Sequence, residues 1–181
     1  MKRLDMPSTG RNSMAEIMTV LVTVAMWIVG AMGVIGIPVL AIGLAASLSG
    51  GSTEFSGIKA LADGVMPGQL VIGLAGLAVI VPGVIFICLQ LRRILLTLID
   101  GDPFVPQNAR RLSSIGIAIA VMELIRIATV VIVSTVPKLV GNEPPRLSTQ
   151  LILWISVAAL FVLSQVFREG TRLRDEEKMT I

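Results

Sequence analysis

IMTVLVTVAMWIVGAMGVIGIPVLAIGLAASL, residues 17–48, runs without a single ionisable charge. Crossing a hydrocarbon core of ~30 Å as a helix takes roughly 20 apolar residues, so this stretch exceeds one perpendicular span and is expected to tilt or protrude. The apolar region of a secretory signal is only ~7 to 15 residues long, and the stretch is therefore read as a retained span. Pro38 lies late in it and is expected to kink or end the helix, because it lacks an amide donor and crowds the preceding turn.

The rest of the chain has the same character. Hydrophobic residues make up 54% of the 181 positions and charged residues only 15%, against about 25% charged in soluble domains. Mean hydropathy is +0.87. Three further apolar stretches follow, the second span being interrupted by Pro82-Gly83, where a kink is expected. The chain is thus expected to be an all-α polytopic membrane protein: one domain of four transmembrane helices, over residues 15–48, 68–99, 109–137 and 147–169, followed by a short tail at 170–181.

Basic residues orient these spans. Lys2, Arg3 and Arg11 precede the first; Arg92, Arg93, Arg110 and Arg111 lie between the second and third; Arg168, Arg172, Arg174 and Lys178 follow the fourth. Only Lys59, Lys138 and Arg146 fall on the other side. Lys and Arg are enriched in cytoplasmic loops, so both termini and the middle loop are expected in the cytoplasm of an inner, plasma-membrane protein. The pI of 9.6 reflects an excess of only three positive charges, and the cations gather at the ends of the apolar runs. No basic stripe or DNA-reading module accompanies it, and direct nucleic-acid binding is not expected.

Enzymatic chemistry finds little to work with. Histidine and tyrosine are absent and Cys88 is the only cysteine, which removes the commonest general base and metal ligand, and any internal disulfide. Ser113, Ser114, Ser156 and Ser164 have no histidine to activate them. No catalytic residue, metal or cofactor is expected.

Two interior features stand out. Gly30, Gly33 and Gly36 share one ridge of the first span, Gly73 and Gly76 one of the second, and Gly116 with Ala120 forms a small-xxx-small pair in the third. Such ridges permit close helix approach in lipid; packing within the chain and a homodimer seam are both open. The segment VMELIRIA, residues 121–128, places Glu123 and Arg126 near the centre of the third span. A lone charge there costs ~2.5 to 3.5 kcal/mol, and i,i+3 spacing puts the two on one helical face where they can pair. A conduction or sensing site and a self-neutralised packing pair both fit. Gln90, Gln150 and Gln165 join that network only if packing brings them near.

The middle loop reads LIDGDPFVPQNARRLSSIG, residues 98–116. Gly101, Asp102 and Pro103 are turn formers, Asn108 is expected to cap the third helix, and Phe104 to pack on the protruding end of the second helix or at the membrane surface. This GDPF turn, the following asparagine and ARRL, together with the terminal FREGTRLRDEEKMTI of residues 167–181, resembles the DUF2975 family of bacterial four-span membrane proteins of unknown function. Members carry a Gly-x-Pro-Phe-like turn and close on a Glu-rich segment ending in Leu-Thr-Val or similar, here Met179, Thr180 and Ile181. Their genes often lie beside one for a small helix-turn-helix regulator of the Cro/C1 type. The resemblance thus implies a soluble transcription regulator as partner, with the loop and tail as contact surface.

The tail's chemistry accords with that. If the fourth helix continues past Phe167, Glu169 pairs with Arg172 and Arg172 with Glu176, each pair contributing ~0.2 to 0.5 kcal/mol, while Leu173 stays as an apolar contact. Gly170 opposes continuation, since an interior glycine costs ~1 kcal/mol. An anchor needs cations alone, whereas Arg168 and Arg172 are accompanied by Glu169, Asp175, Glu176 and Glu177 and by the ending Thr180-Ile181. The leading expectation is a non-enzymatic regulatory partner. The alternative is a small transporter or channel subunit working through Glu123 and Arg126.

Overall fold

In the computed structural model the described residues are 11–48, 67–100, 104–136 and 150–179. They form α1 (Arg11–Leu48), α2 (Pro67–Ile99), α3 (Pro106–Ser134) and α4 (Leu151–Met179). The protein is all-α, and each helix is long and apolar enough to cross a membrane. Helix is what hydrocarbon demands, because a lipid-facing backbone must satisfy its own N–H and C=O groups. Neither Pro38 nor Pro82 ends its helix, which runs on to Leu48 and Ile99 respectively.

Packing follows chain order: α1 lies on α2, α2 on α3 and α3 on α4. Residue pairs at the contacts show each neighbour to be antiparallel. On α1, Gly33 meets Val81, Gly36 meets Leu77 and Gly43 meets Leu70. Gly83 of α2 faces Met122 of α3, while Thr97 bonds Asn108. Gly116 of α3 faces Leu160 and Phe161 of α4. The start of α1, the end of α2, the start of α3 and the end of α4 therefore share one end of the bundle, called here the turn end.

The glycine ridges do their packing within the chain. A Cβ at Gly33 would sit 2.7 Å from Val81 Cγ1, and one at Gly36 2.9 Å from Leu77 Cδ1. Only a glycine lets α1 and α2 come this close, and closeness matters because dispersion and hydrogen bonding, not water exclusion, hold helices together in lipid. Gly30 and Gly76 meet nothing within 4 Å, so their ridge positions serve no contact inside the described structure.

A compact apolar cluster lies towards the turn end. Ile94 of α2 packs with Leu112 and Ile115 of α3, joined by Ile87, Ile119, Leu160 and Phe167. Beside it the buried hydroxyl of Ser164 donates across helices to the Ala109 carbonyl at 2.8 Å. Interhelical bonds of this kind contribute about 0.6 kcal/mol on average.

Candidate functional site

Two places concentrate the polar side chains. The first is the turn end. Pro106 occupies the first position of α3, where a missing amide hydrogen costs nothing. Val105 is the N-cap residue and supplies no side-chain cap. Asn108 is therefore not the cap: it lies inside the first turn, its amide bonded to the Val105 carbonyl at 2.9 Å. Its carboxamide is fully buried, at 0% exposure, and turns towards α2. Nδ2 donates to Thr97 Oγ1 at 2.6 Å, and Oδ1 accepts from Arg111 at 2.9 Å. Arg111 donates in turn to the Arg93 carbonyl at 3.0 Å. A buried amide costs several kcal/mol when left unsatisfied, and these partners remove that cost while tying α2 to α3.

Phe104 packs on α4 and is 43% exposed. Its ring lies 5.7 Å from that of Phe167, tilted by 36°, within the range where aromatic pairs attract. Its carbonyl accepts from Thr171 Oγ1 at 3.3 Å, and its ring would touch a Cβ at Gly170 at 3.1 Å. Gly170 does not stop the helix; it leaves room for this ring. Residues 170–179, read from the sequence as the beginning of a tail, continue α4, and Glu177 lies within it. Arg172 pairs with Glu169 at 3.3 Å and with Glu176 at 3.2 Å. Leu173 is exposed. A cleft of about 370 Å³ between the start of α3 and α4 is lined by Arg110, Arg168, Arg172 and Asp175 among others. Gly101, Asp102, Pro103, Thr180 and Ile181 lie outside the described residues.

The second place is inside the bundle. Arg126 Nε and Nη2 donate to the two oxygens of Glu123, at 2.8 and 2.7 Å. This forked geometry is the strong form of an ion pair. The Glu123 side chain is 4% exposed and that of Arg126 27%. Both border a cavity of about 270 Å³, with α2 on one side and Thr129, Gln150 and Leu153 completing the polar rim and α4 wall. Gln150 thus reaches the pair's surroundings. Gln165 is exposed, and Gln90 keeps its Oε1 buried without a hydrogen-bond partner among the described residues. No group of side chains able to hold a metal ion occurs among the described residues.

Sequence reasoning missed Thr97 and Thr171 as functional partners. The signal was a lone hydroxyl in each of two otherwise apolar or charged turns, ILLTLI and REGTRL, at the helix ends that meet.

The arrangement gains a family from comparison. A family model described as a protein of unknown function, DUF2975, matches residues 43–181. The chain belongs to the DUF2975 family. No curated protein and no solved structure matches it. The DUF2975 match takes in the α2, α3 and α4 parts of the turn end and the Glu123–Arg126 cavity, and leaves most of α1 outside.

Proposed function

We propose that this DUF2975 protein is a non-enzymatic regulatory partner in the bacterial inner membrane, holding a small cytoplasmic helix-turn-helix regulator against its turn end. One observation carries the reading: the charged end of α4 is fastened to the α2–α3 connection through Thr171 and the Phe104–Phe167 ring pair. A loose anchor needs no such fastening, whereas a surface that must present Glu169, Arg172 and Glu176 in fixed register does. The excess of Lys and Arg at this end supports placing it, and both termini, in the cytoplasm.

The test uses a small helix-turn-helix regulator of the Cro/C1 type from the same organism, co-expressed and purified with the protein in nanodiscs. Wild type should retain it; Phe104→Ala combined with Arg172→Glu should release it while the helical content is kept. Equal retention by both would remove the reading. Cysteines introduced at 105 and 178 should be protected from an impermeant reagent in intact cells, and one at 55 modified.

A second reading, a transporter or channel subunit, has its own support in the cavity around Glu123 and Arg126. It requires that Glu123→Gln abolish a flux that wild type shows in liposomes.

A further inference from the structure

The cleft between the start of α3 and α4 brings Arg110, Arg168, Arg172 and Asp175 to one hollow. Arg172 is already shared between Glu169 and Glu176. Arg110, Arg168 and Asp175, by contrast, form no side-chain hydrogen bond or ion pair with another described residue. The hydroxyl of Thr171, also in the wall, is engaged by the carbonyls of Phe167 and Phe104. The groups left to recognise a ligand are therefore two cations, far apart in the chain, and one carboxylate. The register of α3 against α4 places the two cations together: Ser164 bonds the Ala109 carbonyl and Thr171 that of Phe104, which sets Arg110 and Arg168 at one level of the bundle. A hollow with an excess of one sign of charge concentrates the opposite ion, and two guanidinium groups match the oxygens of a phosphate through paired donors.

Depth selects the source of that anion. Arg110 stands two residues before Leu112, where the apolar part of α3 begins, and Arg168 directly follows Phe167, where that of α4 ends. From Arg168 to Asp175 the unbroken helix rises about 10 Å. The headgroup layer on each side of a ~30 Å hydrocarbon core is roughly 5 to 8 Å deep, so the cleft opens at the depth of lipid phosphates. Charge then selects the class of lipid. Two guanidinium groups against one carboxylate leave one positive charge, which a single phosphodiester neutralises, whereas a zwitterionic headgroup leaves it uncompensated. Basic pockets between helix ends are suited to acidic headgroups on the same grounds. We propose that the cleft binds the phosphate of an anionic phospholipid such as phosphatidylglycerol between Arg110 and Arg168, with Asp175 beside the outer hydroxyls of the headgroup. This rests on neither reading of function above, nor on which end of the bundle faces the cytoplasm, because phosphates lie at both faces of a bilayer.

Native mass spectrometry of the purified protein, released from detergent micelles with increasing amounts of added phospholipid, counts bound lipids directly. One phosphatidylglycerol should bind about tenfold more tightly than phosphatidylcholine or phosphatidylethanolamine, equivalent to ~1.4 kcal/mol. Arg110→Gln with Arg168→Gln should remove that preference; both side chains are exposed, and the helical content should be kept. Arg92→Gln with Arg93→Gln takes the same amount of charge from the turn end, outside the cleft, and should leave the preference intact. Asp175→Asn should tighten the binding of phosphatidylglycerol. Equal losses in the two double variants would reveal a diffuse positive surface in place of a site and overturn the proposal. So would equal binding of phosphatidylethanolamine and phosphatidylglycerol. Displacement of the lipid by soluble glycerol phosphate, or by a short polyglutamate peptide, would overturn it too, giving the cleft to a free anion or to a protein.

Discussion

Asn108 Nδ2 donates to Thr97 Oγ1 across 2.6 Å, locking the first turn of α3 to the last turns of α2. Asn108 has no exposed surface, so its carboxamide has no water to fall back on, while Thr97 is half-buried. Thr97→Val should destabilise the protein by about 0.5 to 1.5 kcal/mol, the net worth of one hydrogen bond, in SDS-induced unfolding from micelles. Asn108→Leu with Thr97→Val should lose less than the sum of the single changes.

The Glu123–Arg126 pair makes an opposite prediction for single and double changes. Replacing Arg126 by Met strands a carboxylate at 4% exposure and should cost about 3 to 5 kcal/mol. Glu123→Leu with Arg126→Leu removes both charges and should unfold near wild type. A double variant as unstable as the single one would show that the pair has partners that matter more than each other.

Glycine substitutions on α1 should rank by what they meet. Gly33→Ala presses on Val81, whose branched side chain is stiff, and should cost about 1 to 3 kcal/mol. Gly36→Ala meets only the end of Leu77 and should cost less, and Gly30→Ala should be neutral. Equal effects at all three positions, measured by thermal unfolding in detergent, would contradict the α1–α2 contact.

Phe104→Ala should loosen the turn end without unfolding the bundle. The ring pair with Phe167 is worth about 0.5 to 1.5 kcal/mol, and its loss should speed amide hydrogen exchange at residues 104–109 and 171–176, with α1 unchanged. Arg172→Ala, which removes only exposed ion pairs, should shift stability by under ~1 kcal/mol.

Much of this architecture was legible without coordinates. Four apolar runs and a charged pair three residues apart follow from transfer energies, which each residue carries wherever it sits, so helix number and the Glu123–Arg126 contact could be read along one dimension. The continuation of α4 past Gly170 was less legible. Propensity alone argues against it, and the ring of Phe104, sixty-odd positions earlier in the chain, explains the glycine instead.

Which faces meet was decided only in three dimensions. Lipid and neighbouring helix are equally apolar surroundings, so a span carries almost no periodic signal saying which side is inside. The sequence could offer Asn108 as a cap and Phe104 for the end of the second helix or the membrane surface; helix rotation and pairing turned the first onto Thr97 and set the second, still partly exposed, against Phe167. The same choice of faces left Gly76 opposite empty space while Gly33 was pressed against Val81. Residue type settled that both positions are small; only packing settled that one closes a contact and the other holds a cavity open.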